Sequence, residues 1–316
     1  MDLTGWKRAD LHLHTSFSGW RSLHLIDPQD CYVSPERAFA TARARGMDFV
    51  CFTDHNTIDG ALDLLSRHPE EEPRVIVGEE VEVTFPGSSQ WLHINVYGVD
   101  EALHDDLNRL RGNCFEMIDE LTARGIFFVL NHPFQSFGSI RRARRDLASV
   151  LWRFPAVEVL NSTSPRCHER VLREILGSGA PQPVAWVGGS DAHTLPRIAA
   201  VHTAAPGATK EEFLANVRRG RSAVLGQSQG LGALVRDVYL VVGEYYRRLY
   251  GRNYPFPLRR RLKNAFWSGL LFPGVLLGVP AILPALHSLR QDWIGRFGRW
   301  EEHARSLALT PPRSVR

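Results

Sequence analysis

The first 225 residues alternate short apolar runs with longer amphipathic stretches, the pattern of strands followed by helices. Two amphipathic stretches predict helices: 34–45, which Ser34 would cap with Pro35 in the first turn, and 104–124. Repeated strand–helix alternation predicts a parallel barrel whose catalytic groups collect at the carboxyl ends of the strands. Seven apolar runs have the length of strands: 9–14, 49–53, 75–83, 91–97, 127–130, 156–160 and 184–188.

Residues 226–316 have a different pattern. Residues 234–250 predict a helix, 252–263 are rich in arginine and proline, and the 26 residues 264–289 contain no Asp, Glu, Lys or Arg. This apolar segment is near the length that crosses a bilayer, but its prolines and glycines disfavour a straight helix. We therefore expect a barrel domain at 1–225 and a basic helical tail at 226–316. The interrupting residues are Pro273, Pro280, Pro284, Gly269, Gly274 and Gly278.

The charge of the chain is divided unevenly. The net charge is +4, of which the tail, with 14 basic and 5 acidic residues, contributes +9 and leaves the barrel at −5. A net negative barrel argues against nonspecific wrapping of nucleic acid, and no strip of aromatic and basic residues predicts a nucleic-acid site. The basic run 259–263, with Trp267 and Trp293 near the ends of the apolar segment, favours contact with an anionic membrane surface. The alternative is a helical hairpin packed on the barrel or on a second subunit.

The four cysteines are far apart and form no CxxC pair, and the chain starts without the apolar stretch of a secretory signal. We therefore expect reduced, buried thiols and a cytoplasmic protein, associated with the inner face of the membrane through its tail.

Histidines and carboxylates recur at the ends of the predicted strands. Each has a structural alternative, such as a capping Asp or a hydrogen-bonded core histidine. Two histidines two residues apart on a strand point the same way, as metal ligands would. Convergence in a barrel would give a mixed nitrogen and oxygen site for zinc, manganese or iron. The clusters are Asp10-Leu11-His12-Leu13-His14, Asp54-His55, Glu79-Glu80 with His93 on the next strand, Asn131-His132 and Asp191-Ala192-His193.

In order, the motifs DLHLHT, TDHN, GEE, NHP and SDAH resemble those of the polymerase and histidinol phosphatase (PHP) superfamily, over about residues 8–225. The resemblance implies a distorted (β/α)7, TIM-like barrel of the α/β class. It also implies two or three divalent metal ions and hydrolysis of phosphate esters. Glu80 is preferred to Glu79 because the family acid follows its glycine by two residues. The metal ligands implied are His12, His14, His55, Glu80, His93, His132, Asp191 and His193.

One position departs from the family pattern. Trinuclear members carry an aspartate five residues after the second histidine, where this chain has Gly19, which cannot bind a metal. Either the third ion is missing or weakly held, or a group from the following loop replaces the aspartate, with His24, Asp27 and Asp30 as candidates.

These observations predict hydrolysis of a small phosphorylated substrate by a hydroxide generated between metal ions. His193 or Asp191 could carry protons, and Arg197 could hold the phosphate, with an exposed surface arginine as the alternative. Two rival functions are a metal-bound regulatory or binding module at a membrane, without turnover, and amidohydrolase-type C–N hydrolysis. The sequence does not select among nucleotides, sugar phosphates, amino-acid-derived phosphates and lipid head groups.

Overall fold

The computed structural model describes residues 2–19, 25–136, 146–147, 149–177, 183–251 and 257–297. A nine-stranded sheet runs in the order β7-β6-β5-β4-β3-β2-β1-β8-β9. All seven predicted strands are present, and the last two were not predicted. The strands are β1 (Lys7–Asp10), β2 (Phe49–Phe52), β3 (Val75–Thr84), β4 (Trp91–Tyr97), β5 (Phe127–Leu130), β6 (Ala156–Asn161), β7 (Ala185–Gly189), β8 (Val201–Ala205) and β9 (Ala223–Gly226).

The sheet closes on itself beyond the ends of β1 and β7. There the Asp191 amide donates to the His12 carbonyl at 2.7 Å, and the His14 amide donates to the Ala192 carbonyl at 3.2 Å. At the other end of the barrel, β8 pairs antiparallel with β1. The predicted distorted, TIM-like barrel is therefore confirmed.

The expectation that all strands run parallel is wrong for β4, which pairs antiparallel with both β3 and β5. The chain turns from β3 into β4 through residues 85–90, where the Phe85 amide donates to the Gln90 carbonyl. So short a connection permits only a hairpin, since a parallel crossover needs a dozen or more residues. As a result Glu80, which pairs with Asn95, and His93, which pairs with Glu82, are diagonal neighbours on one face of the ladder, well inside their strands.

Helices surround the barrel and form the tail. Ser34 caps α1 as predicted, with its side chain accepting from the Arg37 amide. The predicted single helix 104–124 is wrong, because Asn113 caps a new helix by accepting from the Phe115 amide. The helices are α1 (Pro35–Ala44), α2 (Asp59–Arg67), α3 (Glu101–Leu110), α4 (Cys114–Ala123), α5 (Arg166–Gly177), α6 (Lys210–Arg218), α7 (Gly230–Tyr250), α8 (Leu258–Leu276) and α9 (Val279–Phe297).

The four cysteines are free thiols. Cys31, Cys51 and Cys114 are buried, and Cys167 is partly buried. Burial raises the pKa of the Cys114 and Cys167 thiols to about 12. Since the thiolate is the reactive form, these side chains serve as packing groups, as the sequence suggested.

The tail helices pack on the barrel. Ile294 of α9 is fully buried in the main core cluster, and the ring of His168 on α5 lies 2.8 Å from the Gln291 carbonyl through Nε2. Asp237 of α7 forms an ion pair with the buried Arg197. These contacts agree with the alternative of a helical hairpin that packs on the barrel. The domain division at residue 225 stays a prediction.

Within the part of the chain that the structure describes, no single helix is long and apolar enough to cross a membrane. The helices α8 and α9 reach that length and composition only as a pair, and they are bent by 72° at the break between them. Gly278 lies at this break with a φ of +88°, a conformation that other residues rarely adopt.

We expect Gly295→Ala to loosen α9 from the barrel. A Cβ at this position would lie 2.7 Å from Cys167 Sγ and 2.8 Å from His168 Cδ2. Overpacking of this kind costs about 1–3 kcal/mol in the free energy of unfolding, partly offset by about 1 kcal/mol of helix propensity. Gly243→Ala in α7 is the matched control, because its Cβ meets nothing within 4 Å. In urea unfolding the control should be at least as stable as the parent, and equal effects of the two variants would contradict this packing.

Candidate metal centre

The carboxylate of Glu80 lies at the centre of a buried cluster, at the end of the barrel where β1 and β7 close. Four neighbouring strands bring imidazoles to it, from the segments that follow β1, β2 and β5 and from within β4. The closest approach between Glu80 and each ring is 2.9–3.3 Å, and the rings belong to His93, His55, His132, His12 and His14.

A second carboxylate, Asp191, lies beside the same rings after β7. Its Oδ1 is 3.3 Å from His14 Nε2 and 3.6 Å from both His12 Nε2 and His193 Nδ1. Asn161 and Thr163 donate hydrogen bonds to its Oδ2. One oxygen is thus held by neutral donors while the other points toward the histidines.

The structure brings all eight sequence-predicted ligands into this one cluster. Their ligand atoms form four groups in which all atoms lie within 4.8 Å of one another: His14, His55 and His193; His12, Glu80 and His132; His12, His14 and Asp191; and His55, Glu80 and His93. The groups share members, as a site with more than one ion requires.

The donor atoms fit divalent ions. Within the described residues, buried His12 Nε2, His14 Nε2, His93 Nδ1 and Glu80 Oε2 lack a hydrogen-bond partner. Buried polar atoms without partners cost about 1–3 kcal/mol each, so such a concentration needs an explanation. Bound cations would satisfy these atoms, and imidazole with carboxylate suits zinc, manganese or iron.

The charges of the cluster compensate one another. Burial alone would raise the pKa of Glu80, but His93, His12 and His55 outweigh it and hold that pKa well below its ordinary value. Burial alone would lower the pKa of His55, yet Glu80 and other acceptors raise it to about 10. For His14, burial and the neighbouring histidines lower the pKa to about 4. The site therefore combines protonated and neutral imidazoles around anionic oxygens.

Glu79 points away from this cluster. Its Oε2 lies 2.7 Å from Nδ1 of His104 on α3, and burial raises its pKa. The alternation of side chains along β3 sends Glu79 and Glu80 to opposite faces, so the geometry supports the choice of Glu80.

Asp30 is the group after Gly19 that reaches the cluster. The Asp30 amide donates to the Gly19 carbonyl, and Asp30 Oδ2 lies 3.1 Å from His55 Nε2 and 3.2 Å from His193 Nε2. Of the other two candidates, Asp27 contacts cations of the tail instead, and His24 lies outside the described residues.

Two residues that support the ligands were missed at the sequence level. Glu158 Oε1 lies 2.9 Å from His12 Nδ1, and the His132 amide donates to Glu158 Oε2. Ser18 Oγ lies 2.7 Å from His14 Nδ1. Such partners fix the tautomer and orientation of a metal-binding imidazole. An acidic residue inside the otherwise apolar run 156–160 was the available signal for Glu158.

The backbone is strained at two of the candidate ligands. His132 and Asp191 have φ values of 24° and 50°, in the region that non-glycine residues rarely adopt. Each such residue costs on the order of 1–3 kcal/mol, and such strain concentrates at functional sites. Gly189, just before this turn, has no room for a side chain, since a Cβ would lie 2.3 Å from His12 Cβ.

Arg197 requires a correction, because it is neither exposed nor open to a phosphate. Its side chain is 2% exposed, pairs with Asp237 and donates to the Ser162 carbonyl at 2.8 Å. A guanidinium committed to these partners fastens α7 to the barrel. We therefore leave it out of the proposed substrate site.

This fold and cluster define a barrel that gathers candidate ligands for divalent ions at one end. The PHP domain family matches residues 10–110, and the PHP-associated family matches residues 183–222. Protein MJ1587 of Methanocaldococcus jannaschii, described as uncharacterized, is 32% identical over 127 residues, which are 40% of this chain and 68% of that protein. The chain belongs to the PHP family.

Solved structures with a similar chain course are more distant. PsfC from Pseudomonas syringae is 18% identical, with a TM-score of 0.49 over 76% of this chain and 99% of that one. The lesion-specific endonuclease PfuEndoQ from Pyrococcus furiosus is 15% identical, with a TM-score of 0.46 over 69% and 57%. Likenesses at this level carry no conclusion about the reaction of this chain.

We expect metal binding to release protons. Because the pKa of His55 is raised to about 10, its imidazole is protonated at pH 7, and an ion that binds through it must displace that proton. Metal affinity should therefore rise with pH from neutrality toward about pH 10 and fall as the pH drops. Calorimetric titration with Zn²⁺ at pH 7 in two buffers of different ionisation enthalpy measures the protons released. An identical enthalpy in both buffers would contradict the expectation.

Proposed function

We propose that this protein hydrolyses a small phosphate ester with two or three divalent ions held by the cluster around Glu80. The observation that carries the proposal is the convergence of eight predicted ligands, several with buried atoms that lack hydrogen-bond partners. Bound ions would lower the pKa of a water molecule and neutralise phosphoryl oxygens.

The arrangement supports separate roles for the two central carboxylates. Glu80 belongs to two of the four groups and has both oxygens among imidazoles, which suits a bridge between two ions. Asp191 offers one oxygen to His12 and His14 while neutral donors hold the other. Asp30 would serve the ion at His55 and His193, in place of the family aspartate.

Proton transfer requires a group with access to solvent. The side chain of His193 is 24% exposed, whereas those of Asp191 and His14 are 9% and 0% exposed. His193 is therefore the better placed of the two predicted proton carriers, when it is not occupied as a ligand.

The two rival functions remain testable. The case for a metal-bound module without turnover depended on the missing aspartate, and the position of Asp30 weakens it. Hydrolysis of a C–N bond would use the same metal chemistry. A screen of phosphate monoesters, phosphodiesters, nucleotides and amides, with added Mn²⁺ or Zn²⁺, distinguishes the three functions. Turnover of amides alone would overturn the phosphoesterase proposal.

We expect His12→Ala to reduce metal-dependent turnover of the preferred phosphate ester to the background rate. His12 belongs to two of the four candidate groups, so its loss would affect more than one ion. His68→Ala removes a histidine that is about half exposed and lies outside these groups, and it should leave turnover unchanged. Turnover rates and bound metal are measured on the same preparations. Parental activity in His12→Ala would refute the assignment.

We further propose that the outer face of α8 and α9 contacts an anionic membrane surface. The described residues of these helices and of the break between them expose thirteen large apolar side chains, far more than a soluble monomer scatters over its surface. Residues 245–291 contain no acidic residue and eight basic ones, a charge balance that suits an anionic partner. The exposed side chains are Leu258, Leu262, Phe266, Leu270, Leu271, Phe272, Leu276, Leu277, Val279, Ile282, Leu286, Leu289 and Trp293.

We expect the double variant Leu262→Ser/Leu270→Ser to bind anionic vesicles more weakly, because both positions lie on one exposed face of α8. Leu231→Ser/Leu240→Ser on α7 is the matched control. Flotation with phosphatidylcholine vesicles, with and without phosphatidylserine, measures binding. Deletion of the whole tail is unsuitable, since it would also remove Ile294 from the core. No binding by the parent, or a concentration-dependent dimer that the α8 variant abolishes, would overturn the proposal.

A further inference from the structure

The basic residues of the tail have partners inside the protein. The segment 25–33, here called the Asp30 loop, lies between the first metal motif and α1 and carries Asp30 to the cluster. Asp27 accepts from Arg260 Nε and Lys263 Nζ of α8, each at 3.0 Å. Two of the four cations in the run 259–263 are therefore committed to this loop.

A second contact holds the other side of the Asp30 loop. Arg248 of α7 donates to the Tyr32 carbonyl at 2.9 Å and to Gln29 Oε1 at 3.3 Å, and its guanidinium lies 5.0 Å above the Tyr32 ring. The Tyr32 ring also packs with Tyr245 and Leu249 of α7 in a separate apolar cluster. Basic side chains of the tail thus contact the Asp30 loop on both sides of Asp30.

Burial makes the contact with Asp27 specific. The side chain of Asp27 is 3% exposed, so its charge is stabilised by protein groups more than by water. Arg260 holds the pKa of Asp27 well below its usual range, with Lys263 adding to the effect. A buried carboxylate that loses its cations is destabilised, and the loop around it would move to reach solvent.

We propose that Arg260, Lys263 and Arg248 are positioning residues for the metal centre, which hold the Asp30 loop so that Asp30 reaches His55 and His193. The inference rests on the proposed role of Asp30 as a ligand. The family aspartate would stand at Gly19, five residues after His14. Asp30 stands sixteen residues after His14, in a loop that contacts α7 and α8, and such contacts would hold a ligand that a loop carries.

The test compares two double variants that remove the same charge. Arg260→Ala/Lys263→Ala breaks the contact with Asp27. The control, Arg247→Ala/Arg259→Ala, removes two solvent-exposed cations, one on α7 and one on α8. Metal-free protein is titrated with Mn²⁺ by calorimetry, and bound metal is counted by elemental analysis. We expect the first variant to bind one ion about 10–100-fold more weakly and the others normally. The control should match the parent.

Three further variants separate the proposed role of Asp30 from the positioning inference. Asp30→Asn should weaken the same ion, and if it binds every ion normally, the proposed role of Asp30 is wrong. If Asp30→Asn weakens that ion while the Asp27 contact variant does not, the positioning inference is overturned. Equal losses in the matched control would overturn it too. Arg260→Lys in the Lys263→Ala background should restore part of the affinity, and Asp27→Asn, similar in shape, serves if the double variant unfolds.

Discussion

The buried carboxylate of Glu80 among five imidazoles is the contact on which the rest of the structure depends. A carboxylate removed from water is costly unless cations or hydrogen bonds compensate it. Here Asn131 donates to Oε1 at 2.9 Å, and the pKa of Glu80 is held low by its histidine neighbours. The surrounding strands and loops place five imidazoles around this carboxylate and hold them in position.

Three of the candidate ligands depend on a reversed strand or an unusual backbone conformation. The reversed strand β4 places His93 diagonally across the ladder from Glu80, within 2.9 Å of its carboxylate. Positive φ values turn the chain at His132 and Asp191. Glu158 holds two of the candidate ligands, because its carboxylate lies 2.9 Å from the His12 ring nitrogen and accepts from the His132 amide. The strain is local, and the buried contacts that oppose it come from several strands.

The sequence predicts the parts of the structure that depend on local pattern. Apolar runs locate seven strands, and the resemblance to the PHP family selects eight residues that the fold brings together. Strand direction at β4 was mispredicted, because alternation of apolar residues is the same in both directions and only the short turn at 85–90 distinguishes them. The break at Asn113 was hidden because α3 and α4 bury a continuing apolar stripe. Arg197 was misread since its partner, Asp237, is forty residues away.

Asp30 shows most clearly where sequence reasoning must stop. Three acidic or imidazole groups followed Gly19, and nothing in their spacing selected one. The selection comes from the tail, where Arg260 and Lys263 pair with Asp27 and leave Asp30 to face the cluster. Part of the positive charge of the tail is therefore neutralised by an acidic residue of the barrel domain. Only the cations left over, such as the exposed Arg259, are available to attract an anionic surface. The proposed membrane contact should accordingly depend more on the apolar face of α8 and α9 than the net charge of the tail suggests.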